Sequence, residues 1–113
     1  MFRHFDIRPE AAWGDYARNG VLADRIYDLA LARVNEKGWT YINPASGIGI
    51  FEDAAGNYLC LETVDEGAVN VIQSIHCGLE DESSSEMKVF VDQFVTDFDL
   101  TVAPKEDTER RIR

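Results

Sequence analysis

The chain has 113 residues, 45% of them apolar and 11% aromatic, and its 21 acidic against 11 basic residues give a net charge of −10. This length and composition indicate one folded domain with one hydrophobic core. The acidic balance excludes direct binding to nucleic-acid phosphates and opposes binding to anionic lipid, because both need a basic surface. No apolar stretch approaches the roughly 20 residues of a membrane span, and the start lacks a secretory signal, so we expect a cytoplasmic protein.

The N-terminal part predicts one strand followed by two helices. Residues 2–7, FRHFDI, are typical of a short strand. Residues 9–20 begin with a proline that suits the first turn of a helix and end in Asn-Gly, which favours a stop there. Residues 21–37 repeat apolar side chains at helical spacing, and Gly38 follows as a C-terminal stop.

Four more strands are predicted after Gly38, where short apolar runs alternate with turn residues. They cover residues 39–43, 47–52, 57–64 and 70–77. Their short connections favour an antiparallel meander. If Phe51 pairs with Leu59 and Thr63 with Val71, the core face carries Gly49, Phe51, Leu59, Leu61, Val71 and Ile75. The opposite face then carries Ile48, Ile50, Glu52, Tyr58, Cys60, Glu62, Ile72, Ser74 and His76.

A final helix is predicted from a continuous apolar stripe. The stripe consists of Met87, Phe90, Val91, Phe94, Val95 and Phe98. We therefore expect an α+β fold over residues 1–104, with an antiparallel sheet of about four to five strands. N-terminal helices precede the sheet, and the C-terminal amphipathic helix packs on one face. Residues 105–113 are expected to form a charged tail.

The acidic run before this helix is better explained as a helix start than as a calcium site. Ser83 and Glu86 match a capping box, and neighbouring acids suit the positive end of the helix. An EF-hand loop counted from Asp81 would need glycine at its sixth position and glutamate at its twelfth. Those positions hold Glu86 and Asp92, so no metal site is predicted.

The two cysteines do not form a recognisable catalytic or zinc motif. Cys60 and Cys77 are not arranged as a C-x-x-C pair, which zinc sites usually contain. The predicted register places Cys60 and His76 on the same side of neighbouring strands, where a thiol and a base would be close. Packed cysteines are still favoured, and we predict neither an enzyme nor a cofactor.

The distribution of charge is the strongest functional indication. Residues 1–37 hold six acids and six bases, whereas residues 38–104 hold twelve acids and the single base Lys88. Residues 38–87 contain nine acids and no Lys or Arg. Ordinary surfaces mix both signs, so this segment predicts a docking surface for a basic partner. The predicted partner-binding residues are Glu52, Asp53, Tyr58, Glu62, Asp65, Glu66, Glu80, Asp81, Glu82 and Glu86.

A single acidic domain without enzyme motifs, with Trp39, Tyr41 and Tyr58 among the acids, resembles a known class of proteins. These are the small cytoplasmic immunity proteins that neutralise bacterial polymorphic toxins, including those of contact-dependent growth inhibition systems. The resemblance is one of type and covers no aligned stretch. It implies a basic toxin domain, often a nuclease, as the partner of this chain.

Three alternatives remain open from the sequence. The first is a nucleic-acid mimic that inhibits another DNA- or RNA-binding protein. The second is a small ligand-binding or enzymatic domain with a pocket between sheet and helix; its polar groups would be His4, His76, Cys60 and Glu62. The third is a homo-oligomer that pairs through Ile48, Ile50 and Ile72.

Overall fold

The computed structural model describes residues 2–9, 15–80 and 86–104, and within them it contains six strands and two helices. In chain order the elements are β1 Phe2–Pro9, α1 Tyr16–Lys37, β2 Thr40–Ala45, β3 Ile48–Glu52, β4 Tyr58–Glu66, β5 Val69–Glu80, α2 Glu86–Asp97 and β6 Leu100–Pro104. Every strand pair is antiparallel, and the order across the sheet is β2-β3-β4-β5-β1-β6. Neither of these helices has the length and apolar character needed to cross a membrane.

The sheet has six strands, so the prediction of four to five is wrong. The additional strand is β6, which pairs with β1 from Pro9↔Leu100 to Phe5↔Pro104. Thr101 Oγ1 also donates a hydrogen bond of 3.0 Å to the carbonyl oxygen of Arg8. A proline is tolerated here because β6 lies at the edge of the sheet. The predicted tail, residues 105–113, lies outside the described residues.

The described residues before β2 contain one helix, not the two that were predicted. Pro9 ends β1 instead of starting a helix, and the Asn-Gly pair at residues 19–20 lies inside α1, where both residues are buried. A Cβ on Gly20 would come within 3.3 Å of Val69 Cβ, so the missing side chain permits close contact with β5. The Asn-Gly sequence is typical of a turn, but here it lies inside the helix and lets the helix contact the sheet.

Asn19 completes this contact with hydrogen bonds to the backbone of β5. Its Oδ1 accepts a hydrogen bond of 2.6 Å from the Ile72 N–H, and its Nδ2 donates one of 3.3 Å to the Ile72 carbonyl oxygen. The Asn19 side chain thus satisfies the backbone N–H and carbonyl groups of Ile72, as a neighbouring strand would do. The other end of α1 is as predicted, because Gly38 closes it in the left-handed conformation with φ of 71°.

The predicted register is right between β3 and β4 and wrong along the whole β4–β5 ladder, by two residues up to Glu62 and by one residue from Thr63 onward. Phe51 pairs with Leu59 as predicted, but Thr63 pairs with Ile72 rather than with Val71. The ladder also contains an irregularity between Glu62 and Thr63, where one step along β4 matches two steps along β5. A bulge of this kind reverses which side chains face the core.

The bulge exchanges two aliphatic residues between the faces of the sheet. Ile72 was predicted on the outer face but lies in the core, where it is 2% exposed. Val71 instead lies across from Val64 on the outer face, where it is 3% exposed and outside the core cluster. Gln73 is the extra residue that the bulge inserts, and it is exposed.

The predicted stripe of the last helix is confirmed as its core-facing side. Met87, Phe90, Val91 and Phe94 are buried, and Trp39 packs edge-on against Phe90 with ring centroids 5.5 Å apart. Each such side chain contributes about 1.5 to 3 kcal/mol by leaving water. Residues of both helices and of the inward sheet face form one core cluster: Ile7, Ala23, Ile26, Ala30, Trp39, Phe51, Leu59, Leu61, Ile72, Ile75, Cys77, Leu79, Met87, Phe90, Val91, Phe94 and Leu100.

Titration of Tyr27 in α1 is expected to lower the stability of the fold at alkaline pH. Burial, together with Tyr41 and Cys60, raises its pKa from 10.0 to about 12. The folded state therefore favours the neutral phenol, and this contribution to stability is present below pH 10 and lost between pH 10 and 12. We expect Tyr27→Phe, which retains the edge contact with Phe51, to lose less stability than the wild type over that range. Urea unfolding at each pH measures the free energy of unfolding. If this free energy fell equally with pH in the wild type and in Tyr27→Phe, the expectation would be contradicted.

Candidate functional site: the open face of the sheet

The candidate site lies on the sheet face opposite the helices, because α1 and α2 both pack on the other side. We call it the open face. The register places on it His4, Asp6, Arg8, Ile42, Ile48, Ile50, Glu52, Tyr58, Cys60, Glu62, Val64, Val71, Ser74 and His76. Arg8, on β1, is paired with Asp6 at 3.9 Å. Ile42 and Val64 are 41% and 37% exposed, and Ile48, Ile50 and Tyr58 are half-buried. The face is thus an aliphatic surface with acidic and ring side chains among the apolar ones.

At the centre of the open face, a thiol, a carboxylate and an imidazole converge. Cys60 lies on the same side of the sheet as His76, as predicted, and pairs directly with it in the β4–β5 ladder, where the predicted register put Ser74; Glu62 follows two residues along β4. One ligand atom from each of the three side chains lies within 4.8 Å of the other two. His76 Nε2 is 3.5 Å from Glu62 Oε1, and their side chains are 18% and 36% exposed. Cys60 lies beneath them at 5% exposure.

Tyr58 and His4 extend this group toward β1. The Tyr58 hydroxyl is 3.0 Å from His4 Nδ1, and the Tyr58 ring stands edge-on to the His76 ring with centroids 6.0 Å apart. Burial, followed by the nearby Cys60, raises the pKa of Tyr58. Tyr58 therefore remains a neutral hydroxyl near pH 7. The sequence did not predict the contact with His4, because β1 reaches β5 only through a long chain connection.

The second cysteine does not belong to this group. Cys77 points into the core and is fully buried. Burial, with smaller effects of Asp92 and Asp6, raises the pKa of its thiol to about 12. Both cysteines are buried, as the prediction of packed cysteines requires, but only Cys77 belongs to the core cluster, whereas Cys60 is on the open face.

The predicted acidic loops lie at both ends of the sheet. Glu52 and Glu80 are at one end, and Asp65 and Glu66 are exposed in the hairpin at the other. This is the arrangement that a meander predicts. Residues 81–82, also predicted to bind the partner, lie outside the described residues.

Asp53 was predicted to face a partner, but its carboxylate is engaged in the β3–β4 turn. Its Oδ1 accepts hydrogen bonds from the N–H groups of Ala55 and Asn57 at 2.9 and 3.0 Å. The two Asp53 carboxylate oxygens also accept from Asn57 Nδ2. Asp53 therefore stabilises the turn.

Glu86 lies away from the open face. It is the first residue of α2, on the helical side of the sheet, and its Oε1 is 3.6 Å from Lys37 Nζ. Exposed pairs of this kind contribute about 0 to 1 kcal/mol. The structure thus brings Glu52, Tyr58 and Glu62 together on one face, while Glu86 remains with the helices.

The pocket predicted between sheet and helix does not contain its predicted polar groups, since all four lie on the open face. In the described part of the chain, one depression of about 440 Å³ lies between the two helices, beside Arg33 and Phe94. Another of about 550 Å³ lies beside α1 and the β2–β3 turn, next to Tyr27 and Tyr41. The predicted self-pairing surface also changes, because Ile72 is in the core.

No family model matches the chain, and no curated protein is significantly similar to it. Its function therefore has to be inferred from the open face. That face combines exposed aliphatic side chains with acidic groups, and it holds the Cys60, Glu62 and His76 cluster at its centre. The aliphatic and acidic surface is suited to binding a protein, and the Cys60, Glu62 and His76 cluster is suited to binding a cation.

Proposed function

We infer that the chain is an immunity or inhibitor protein that acts in the cytoplasm by binding a basic toxin domain through its open face. One observation carries this proposal. Strands β2 to β5 contain no Lys or Arg, while their open face presents exposed aliphatic side chains and two acids. A basic surface with apolar groups at its centre is the complement of such a face.

The apolar part of the open face is suited to the centre of an interface. Ile42 is 41% exposed, and Ile48, Ile50 and Tyr58 are half-buried beside it. Interfaces obtain most of their affinity from a few such side chains that lose contact with water, surrounded by a polar rim. Glu52 and Glu62 are the acids that accompany this apolar group.

The acids at the ends of the sheet are suited to steering. Asp65 and Glu66 are exposed in one hairpin, and Glu80 is exposed at the opposite end. Clustered charge of one sign accelerates association with an oppositely charged partner by roughly 10- to 1,000-fold at low salt. Bound this way, the chain would cover the surface with which a nuclease domain meets nucleic-acid phosphate.

We expect the double variant Asp65→Lys/Glu66→Lys to slow association with the partner about tenfold at low ionic strength, with little change in dissociation. The matched control is Asp24→Lys/Asp28→Lys, which makes the same charge change on exposed residues of α1. The partner to test is a basic toxin domain, sought first among the products of neighbouring reading frames. Stopped-flow kinetics at low and high salt measures the association rate.

Two outcomes would contradict the proposal. If both double variants slow association equally, only the total charge matters and the open face is not the interface. If neither variant changes the association rate or its salt dependence, the electrostatic steering is absent. A second variant, Ile42→Ala, is expected to accelerate dissociation, because it removes an exposed apolar contact from the β2 edge of the open face.

A further inference from the structure

We propose that Cys60, Glu62 and His76 form a binding site for a zinc-class divalent cation at the centre of the open face. This site needs no partner, since it uses side chains of this chain alone, and it shares Glu62 with the proposed partner-binding face. The three residues come from two adjacent strands, so the hydrogen-bonded β4–β5 ladder holds their backbones in position. A site on paired strands is more rigid than one on loops.

The geometry is close to that of a zinc site. Ligand atoms bound at about 2.0 to 2.3 Å in a tetrahedral site lie about 3.3 to 3.6 Å from one another. His76 Nε2 and Glu62 Oε1 already have this spacing at 3.5 Å. All three ligand atoms lie within 4.8 Å of one another. Side-chain rotations that move atoms by about 1 Å therefore bring the sulfur, nitrogen and oxygen to coordinating distance.

The ligand types select the class of metal. A cysteine sulfur, an imidazole nitrogen and a carboxylate oxygen form a mixed set that suits zinc or cobalt. Calcium and magnesium prefer oxygen ligands only. A thiolate and a carboxylate side by side repel each other, and a dication between them reverses this effect. The absence of Lys and Arg from β2 to β5 also favours a cation at this place.

The arrangement is better suited to a metal than to a cysteine nucleophile. Cys60 is only 5% exposed, so a substrate would have to displace its neighbours to reach the sulfur. The His76 and Glu62 side chains are more accessible, at 18% and 36%. A cation above Cys60 would thus have three protein ligands and a fourth position open to water. This coordination, with one exchangeable position, is the one found in catalytic zinc sites.

The test is titration of the reduced, untagged protein with Co²⁺ and Zn²⁺. We expect one Co²⁺ per chain, with the visible absorption of a tetrahedral site and a sulfur-to-cobalt charge-transfer band, and displacement by one Zn²⁺ with a Kd of about 1 μM or lower. Mg²⁺ should not compete. Zn²⁺ should also raise the melting temperature of the protein, because it binds only the folded state.

Variants distinguish this site from adventitious binding. We expect Cys60→Ser and His76→Gln each to weaken Zn²⁺ binding by about 100-fold or more. Loss of a residue that only hydrogen-bonds to a metal ligand lowers metal affinity by about 10- to 100-fold. Cys60→Ser should also abolish the charge-transfer band. The matched control His4→Gln removes the other histidine of the open face and should leave Zn²⁺ affinity unchanged.

Three results would overturn the assignment. The first is the absence of 1:1 Zn²⁺ binding at concentrations up to about 1 mM, which corresponds to only about 4 kcal/mol of binding free energy. The second is unchanged affinity in both Cys60→Ser and His76→Gln, with circular dichroism showing that both variants fold. The third is loss of affinity in His4→Gln equal to that in His76→Gln. None of these results bears on binding of the basic partner, which the charge reversals test separately.

Discussion

Replacing Asn57 with alanine is expected to lower the free energy of unfolding by about 3 kcal/mol, because several hydrogen bonds of one fully buried side chain are lost together. Asn57 is 0% exposed. Its Oδ1 accepts a hydrogen bond of 2.7 Å from the Glu80 N–H. Its Nδ2 donates to Asp53 Oδ1 and Oδ2 at 3.3 and 3.0 Å. The side chain thus connects the β3–β4 turn to the end of β5, and alanine leaves a cavity between them.

Urea unfolding followed by circular dichroism measures the loss. The matched control is Asn43→Ala, which removes an exposed amide whose Nδ2 donates to the Tyr41 hydroxyl at 3.2 Å, and it should cost less than about 0.5 kcal/mol. Asn57→Asp retains the Oδ1 acceptor but places a second carboxylate beside Asp53, so its penalty should be smaller in acid than at neutral pH. A loss below about 1 kcal/mol for Asn57→Ala would show that the network is not a principal constraint on this turn.

The elements that the sequence predicts well are those whose pattern is complete within one segment. The stripe from Met87 to Phe98 has a period that only a helix satisfies, and the helix is present with the expected buried side. The meander of β2 to β5 follows from short turns between apolar runs. In both cases the local pattern and the tertiary packing agree, which is the condition for prediction from a single sequence.

The parts that the sequence predicts wrongly depend on distant partners. β6 has only five residues and becomes a strand by pairing with β1, from which it is separated by most of the chain. Asn19 and Gly20 resemble a turn, but Gly20 lets α1 approach β5 and Asn19 bonds to Ile72. Tertiary contact therefore overrides a local preference at both places.

Alternation along two neighbouring strands of the sequence was sufficient to place Cys60 and His76 on one side of the sheet but not to pair them or to assign them a metal. Their combination with Glu62 and His4 was named only as the polar groups of a ligand-binding or enzymatic pocket and not as a metal site, because zinc motifs are recognised by closely spaced cysteines along the chain. Here the ligands lie on the two strands of a hairpin, so the distance between them in space is determined by strand pairing and not by their separation along the chain. The bulge at Gln73 was also missed, since no glycine or proline indicates it.

Substitution of Gly47 by alanine is expected to cost about 3 kcal/mol, because the β2–β3 turn has no room for a side chain. Gly47 has φ of +82°, and a Cβ there would lie 2.4 Å from the carbonyl oxygen of Thr63. The obstacle is backbone, so rotation of a side chain cannot relieve it. Displacement of the turn would weaken the 2.7 Å hydrogen bond that the Thr63 N–H donates to the Gly47 carbonyl oxygen.

Gly56 supplies a matched control for the conformational part of this cost. Its φ is +86°, close to that of Gly47, but a Cβ at Gly56 would have no atom within 4 Å outside Gly56 and its two chain neighbours. Gly56→Ala should therefore cost only about 1 kcal/mol, the penalty for a left-handed alanine. The difference between the two variants isolates the overlap with Thr63, and chemical denaturation measures both. Equal losses would mean that β4 yields easily at Thr63, and the β2–β3 hairpin would then be a mobile part of the open face rather than a rigid one.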